Sequence, residues 1–162
     1  MKRIISLDPG IGRTGYAVLE KEDQTTRALD YGCIETQVNG ELQSRLLKIY
    51  EDLTKIIKKF DPEIMVVERL FFSNNQKTAI TVGQAQGVML LVAAQFQMPL
   101  SFVTPLQIKS ALTGYGQASK DQVSRMVKIL LSLEKMPKLD DTTDALACGL
   151  TYLALYKLQA VQ

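Results

Sequence analysis

The sequence of 162 residues contains no histidine. This absence excludes Ser-His-Asp and Cys-His catalytic schemes, a histidine general base and an imidazole metal ligand. If the protein is an enzyme, its chemistry therefore depends on carboxylates, lysines, hydroxyls or a hard metal ion. The pH profile of such an enzyme should also lack an imidazole titration near about pH 6.5.

Cysteines, long apolar runs and net charge are scarce as well. The two cysteines, Cys33 and Cys148, lie in apolar surroundings without Cys-x-x-Cys spacing, which predicts reduced core thiols in a cytoplasmic protein. No window reaches the roughly 18 apolar residues of a membrane span, and the apolar run at the start is too short for a signal peptide. The 19 basic and 17 acidic residues leave a formal net charge of +2, which allows a nucleic-acid partner without indicating one.

Hydrophobic periodicity predicts an α/β protein. At roughly 100–200 residues per domain, the length indicates one domain spanning 1–162. The pattern predicts the order β-β-β-α-β-α-β-α-α-α, with an antiparallel meander first and then strands joined through helices, hence a mixed sheet flanked by helices. The predicted strands are 3–8, 14–20, 27–36, 63–68 and 100–103, and the predicted helices are 41–60, 76–97, 105–113, 119–133 and about 140–156. We expect strands 3–8 and 63–68 to lie side by side and parallel.

Four acids occupy positions where acids are unusual. Asp8 and Glu68 each end an apolar strand, and Asp141 and Asp144 share one face of the last helix, which continues as an apolar face. Each has an ordinary explanation by itself: a turn residue, a strand end exposed or paired with Arg69, or a helix cap. Taken together, two carboxylates at the carboxyl ends of adjacent parallel strands lie at the edge where α/β sheets place sites.

A cluster of four carboxylates predicts a metal site. Such groups repel one another unless cations neutralise them. Hard divalent ions with oxygen ligands suit them, chiefly Mg²⁺, with Mn²⁺ as the alternative. Two ions in one active site can activate water and stabilise the leaving oxygen of a phosphoryl displacement, which requires no histidine.

Several segments together resemble the RuvC Holliday-junction resolvases, in order and spacing along essentially the whole chain. They are Leu7-Asp8-Pro9-Gly10 with Thr14-Gly15-Tyr16, Val67-Glu68-Arg69-Leu70-Phe71-Phe72, Gly83-Gln84-Ala85-Gln86-Gly87-Val88 and Asp141-Thr142-Thr143-Asp144-Ala145-Leu146-Ala147. The resemblance implies an RNase H-like sheet of about five strands and a homodimeric, metal-dependent endodeoxyribonuclease of the bacterial cytoplasm. The implied partners are four-way junction DNA and the RuvAB branch-migration complex, with no membrane.

The resemblance also implies roles for individual residues. Asp8, Glu68, Asp141 and Asp144 match the four catalytic, metal-binding acids, and the position of Asp141 is histidine in some relatives. The residues that it implies contact DNA are Phe71, Phe72, Arg69, Lys77, Lys109 and Lys120, of which Lys120 is also expected to take part in catalysis. Phe71 could instead pack in the core with Phe72 pointing outward, and Lys120 could be a solvated lysine. Gln86 departs from the family, which usually has a basic residue there.

Three other functions remain possible at this point. One is the related nuclease that trims ribosomal RNA precursors, which shares the early Asp-x-Gly motif. Another is an actin-like ATPase, since residues 8–15 also resemble a phosphate-cradling hairpin, although such proteins need two of these domains. The third is a module that binds junctions without cutting them, against which the four intact acids argue.

Overall fold

The computed structural model describes residues 2–69 and 76–159, except for the side chains of 76–78 and 156–159. The strands are β1 Lys2–Asp8, β2 Arg13–Glu22, β3 Thr25–Glu35, β4 Ile64–Glu68 and β5 Leu100–Val103. The helices are α1 Leu42–Phe60, α2 Gln76–Gln95, α3 Pro105–Thr113, α4 Lys120–Leu130 and α5 Asp140–Gln159. The predicted order of elements is confirmed.

The five strands form one mixed sheet in the order β3-β2-β1-β4-β5. The pairs β1–β2 and β2–β3 are antiparallel, whereas β1–β4 and β4–β5 are parallel. The predicted parallel pairing of the first and fourth strands is confirmed, with Leu7 opposite Val67. The next residue of each strand is an acid, so this register brings Asp8 and Glu68 to the same sheet edge.

The strand alternation decides which face these acids occupy. In β1, Ile5 and Leu7 are buried against α1 and α2, whereas Ile4 packs with α3, α4 and α5. Because successive side chains of a strand point to opposite faces, Asp8 shares its face with Ile4. The same alternation in β4 puts Glu68 there too. Both acids therefore project to the side of the sheet that α5 covers.

Local hydrogen bonding explains several helix ends. Thr104 and Ser119 form the capping boxes of α3 and α4, and Pro105 follows Thr104 at the first helical position. Helix α4 ends at Leu130, before the predicted 133. There, Leu133 N–H bonds Lys128 C=O at 3.0 Å and Ser132 N–H bonds Ile129 C=O at 3.2 Å. These bonds form a Schellman motif, in which Ser132 takes the left-handed conformation that glycine usually adopts. Because no glycine marks this position, the sequence does not indicate where the helix ends.

Two expectations about composition can also be compared with the fold. Cys148 is buried and Cys33 is half-buried, and both are free thiols. The prediction of a core position therefore holds fully only for Cys148. Among the helices in the described part of the chain, none combines the length and apolarity needed to cross a membrane.

Candidate active site

The two strand acids lie in a poorly solvated position at the end of the sheet. Asp8 and Glu68 directly follow the paired Leu7 and Val67. Burial, and then the nearby carboxylates of Glu68, Asp144 and Asp141, raise the pKa of Asp8 to about 8. Burial, and then Asp144, raise the pKa of Glu68 to about 7. These carboxylates therefore resist ionisation unless positive charge is brought to them.

The two helix acids reach the site because α5 begins directly on strand β2. A side chain at Gly15 would collide with the backbone carbonyl of Asp141, so glycine permits this close approach. Gly15 is opposite Asp8 in the β1–β2 register, which brings Asp141 beside that acid. Asp144 lies nearly one turn further along the same helix face.

Each helix acid has a cationic neighbour. Arg13 Nη1 lies 3.4 Å from Asp141 Oδ2, and Lys120 Nζ lies 2.9 Å from Asp144 Oδ2. The two carboxylate side chains are 28% and 29% exposed. The hydrogen bond to Asp144 raises the pKa of Lys120, which therefore stays charged. In the described part of the chain no ion pair reaches Asp8, so charge compensation is concentrated at the mouth of the site.

A cleft of about 610 Å³ opens in front of these groups. Its walls are the Gly10–Arg13 loop, two residues of α2, Lys120 and the start of α5 with the preceding Lys138. A smaller pocket of about 110 Å³ adjoins it and is lined by Glu68, Asp144, Lys109 and Lys120 among apolar residues. The structure thus brings two of the three predicted lysines, Lys109 and Lys120, to the pocket that Glu68 and Asp144 line.

The donor set suits a hard cation. Within residues 2–69 and 76–159, no three Asp, Glu, His or Cys side chains already stand in an arrangement that would hold an ion. Asp141 and Asp144 instead face Arg13 and Lys120. All four acids are oxygen donors of the kind that Mg²⁺ prefers, and their mutual repulsion favours a divalent ion among them. For all four acids to bind the ion, the two helix acids must turn from Arg13 and Lys120 towards it.

Some predicted residues are not brought to the acids. Arg69, one possible partner of Glu68, lies over the Phe102 ring at 5.4 Å from the ring centroid. Phe71 and Phe72 lie outside the described residues, as does the side chain of Lys77. Their roles stay predictions.

Sequence reasoning missed two cationic residues of the cleft. Arg13 belongs to the recognised hairpin motif, yet no role was assigned to it, and Lys138 lies in an irregular segment before α5. The available signal for Arg13 was its position at the start of the strand that pairs with Asp8's strand. No local pattern marks Lys138, because only the tertiary fold brings its loop to the cleft.

Comparisons with known proteins identify the family of this chain. The chain matches the family model described as crossover junction endodeoxyribonuclease RuvC over residues 4–152. It is 48% identical over 155 residues to RuvC of Halothermothrix orenii, covering 96% of this chain and 94% of that one. It is 49% identical over 144 residues to RuvC of Petrotoga mobilis, covering 89% and 88%.

The solved structures include a similarly extensive match. Thermus thermophilus RuvC in complex with Holliday junction substrate superposes with a TM-score of 0.93 at 30% identity, covering 98% of this chain and 97% of that chain. The match extends across the sheet and its flanking helices. The predicted RNase H-like α/β fold is therefore confirmed.

Proposed function

This chain belongs to the crossover junction endodeoxyribonuclease RuvC family, and we propose that it resolves four-way (Holliday) DNA junctions in homologous recombination and DNA repair. It does so by paired symmetric nicks, with residues 1–162 forming one nuclease domain. The observation that carries the proposal is that two strand acids and two helix acids lie near enough for Glu68, Asp144 and Asp141 to raise the pKa of Asp8, beside a cleft with basic residues at its walls. Family membership disfavours the ribosomal RNA nuclease and the ATPase, and the acid cluster disfavours a non-cutting module.

The four acids are the proposed metal ligands. Asp8 and Glu68 supply ligands from rigid strands, and Asp141 and Asp144 supply them from the first turns of α5. When bound, two ions of Mg²⁺ or Mn²⁺ supply Lewis-acid chemistry for phosphodiester hydrolysis. The strand acids are positioned by the β1–β4 register, whereas the helix acids turn from Arg13 and Lys120 as they take up their role.

Basic and aromatic residues are the proposed DNA contacts. Lys120 is close enough to Asp144 to place positive charge beside the phosphate at the acids, where it would stabilise developing negative charge. Lys109 lines the adjoining pocket and is positioned to contact the neighbouring DNA backbone. The remaining proposed contacts are Arg69, Phe72, Lys77 and Phe71, the last stacking on an unpaired base.

The proposed working form is a homodimer assembled through α2. Its core-facing side contains Ala85 and Met89, whereas Ile80 and Leu91 on the opposite side are 67% and 57% exposed. The glycines at 83 and 87 lie on that exposed side, and no atom of the described part of the chain stands within 4 Å of a Cβ built at either position. An apolar face with such open positions suits close packing against a second copy. The RuvAB complex is the proposed partner at the junction, in the bacterial cytoplasm.

A synthetic four-way junction tests this function. Paired nicks in strands of like polarity should appear with Mg²⁺ and vanish with a chelator, while a linear duplex of the same sequence stays intact. Sedimentation velocity on the same sample should give the mass of a dimer. Tight binding without cleavage at any divalent ion concentration would support the non-cutting module, and ATP turnover would support the ATPase.

A further inference from the structure

The loop between β1 and β2 turns its carbonyls away from the cleft. Thr14 Oγ1 donates to Gly10 C=O at 2.7 Å, and Thr36 Oγ1 donates to Ile11 C=O at 2.6 Å. The backbone N–H of Thr36 donates to Gly12 C=O at 3.0 Å. Both threonines are buried, so water does not compete for these bonds. Three consecutive carbonyls are therefore held towards β2 and the end of β3.

Peptide geometry then directs the N–H groups the other way. In a planar trans peptide the N–H points opposite to the preceding C=O. The N–H groups of Ile11, Gly12 and Arg13 consequently leave the loop on the side away from the threonines, and these residues line the 610 Å³ cleft. Within residues 2–69 and 76–159, no hydrogen-bond acceptor is found for the N–H of Ile11 or Gly12. Successive N–H groups of this kind form an anion-binding concavity.

Arg13 adds positive charge at the end of this loop. Its side chain is 51% exposed, and its 3.4 Å contact with Asp141 is a long surface ion pair. Exposed pairs of this kind contribute little, so the guanidinium can move to an anion at small cost. Lys120 and Lys138 line the same cleft, which also contains the acids of α5. The acids of α5 would repel an isolated anion. A phosphate of a strand that is already bound at the acids would instead be held beside the basic residues of the cleft.

A second arginine supports the loop from behind. Arg45 Nε donates to Thr36 Oγ1 at 2.8 Å, and its guanidinium lies near Gly12. Because that hydroxyl is already an acceptor for Arg45, its own proton is directed to the Ile11 carbonyl. Thr36 and Arg45 are therefore positioning residues for the loop.

We propose that the Gly10–Arg13 loop binds one phosphate of the cleaved DNA strand, next to the phosphate that is cut. The N–H groups of Ile11 and Gly12 and the guanidinium of Arg13 are its ligands, and Thr36 holds the loop in its binding conformation. This inference rests on the proposed function and extends it by assigning a second phosphate site. It also gives a role to the hairpin motif that resembles a phosphate cradle.

The test measures single-turnover cleavage at increasing protein concentration with Mg²⁺. Each modified junction carries one neutral methylphosphonate in the cleaved strand. It replaces one of the two phosphates on one side of the cut or one of the two on the other side. We expect Arg13→Gln to raise the half-saturating concentration about tenfold on the native junction. At one of these positions, the methylphosphonate should raise the half-saturating concentration of the wild type by a similar factor. The same methylphosphonate should not raise the half-saturating concentration of Arg13→Gln any further. The salt dependence of binding should fall by about one counterion for Arg13→Gln.

Arg27→Gln is the matched control, because it removes the same charge elsewhere. Arg27 pairs with Glu20 in the β2–β3 register, whereas Arg13 pairs with Glu35. Seven residues along β2 separate the two positions by roughly 23 Å. The control should stay within about twofold of the wild type.

Thr36→Val tests the backbone half of the site. Loss of the hydroxyl should raise the half-saturating concentration about fivefold, and Thr36→Ser should restore it. The proposal is overturned if Arg13→Gln cleaves the native junction like the wild type, or if its defect is the same on every methylphosphonate junction. A Thr36→Val protein with unchanged behaviour would remove the N–H groups from the site. Failure of the wild type to cut the native junction would instead refute the proposed function.

Discussion

The strand acids and the helix acids of the site differ in almost every physical respect. Asp8 and Glu68 end neighbouring parallel strands, are poorly solvated and have pKa values raised to about 8 and about 7. Asp141 and Asp144 lie in the first turns of α5, are more than a quarter exposed and face Arg13 and Lys120. The sheet positions the strand acids, which form no salt bridge in the described structure. The helix acids have cationic neighbours and are exposed enough to change their contacts.

This difference indicates a division of labour. Half-buried carboxylates with no ion pair in the described structure cost folding free energy, so the position of the strand acids is explained by function rather than stability. Exposed carboxylates with cationic neighbours cost little and can change partners at small expense. We infer that the strand acids set where the reaction takes place and that the helix acids adapt to what is bound there.

Asp8→Asn is expected to have the largest effect. Cleavage should fall by roughly 10³-fold or more because a central ligand is lost without a change of shape, while junction binding is kept. In chelator, the same variant should gain at least about 1 kcal/mol of unfolding free energy at pH 8, since a buried carboxyl no longer has to ionise. Single-turnover cleavage and denaturant titration measure the two quantities.

Asp144→Asn is the matched comparison for stability. This variant removes a carboxylate that already contacts Lys120. Its gain in unfolding free energy in chelator should therefore be clearly smaller than that of Asp8→Asn. Equal gains would erase the distinction between strand and helix acids. Substantial cleavage by Asp8→Asn would remove Asp8 from the proposed ligand set.

The pH dependence of stability is the next test. The raised pKa values mean that the folded protein holds protons on Asp8 and Glu68 which the unfolded chain has already released. In chelator, the free energy of unfolding should therefore fall as pH rises from about 4 to about 8, by up to roughly 1.4 kcal/mol per pH unit and group. Denaturant titrations across this range measure the slope.

A double variant isolates the contribution of the strand acids. Asp8→Asn with Glu68→Gln should have a much flatter profile, because both shifted groups are gone. Saturating Mg²⁺ should also flatten the wild-type profile by favouring the ionised carboxylates in the folded state. A wild-type slope equal to that of the double variant would refute the raised pKa values.

Asp141→His should have the smallest effect on cleavage. The position faces Arg13 at the mouth of the site, and the family resemblance implies histidine there in some relatives, so activity should stay within about tenfold of the wild type. The pH–rate profile should acquire an imidazole ionisation at about 6.5 in addition to those of the strand carboxylates, since the wild type contains no histidine. A loss as large as that of Asp8→Asn would show that helix and strand acids are equally constrained.

Much of this architecture was predictable because it depends on short-range chemistry. Hydrophobic alternation and periodicity identified the strands and helices in order, and the capping boxes of Thr104 and Ser119 fix two helix starts through contacts within a few residues. The end of α4 at Leu130 was missed because Ser132, just beyond it, adopts the left-handed conformation that a glycine usually signals. The predicted parallel neighbours β1 and β4 were enough to bring Asp8 and Glu68 to one edge.

The sequence by itself determined which chemistry is available to this protein. With no histidine and with acids at two apolar strand ends and one helix start, an oxygen-ligand site was the consistent reading. Tertiary structure alone decided which cations face which acids, how α5 sits against Gly15, and how Thr36 orients a loop 25 residues away at Ile11. Periodicity and capping act within a few residues, whereas these contacts join distant segments whose meeting depends on strand register and close packing.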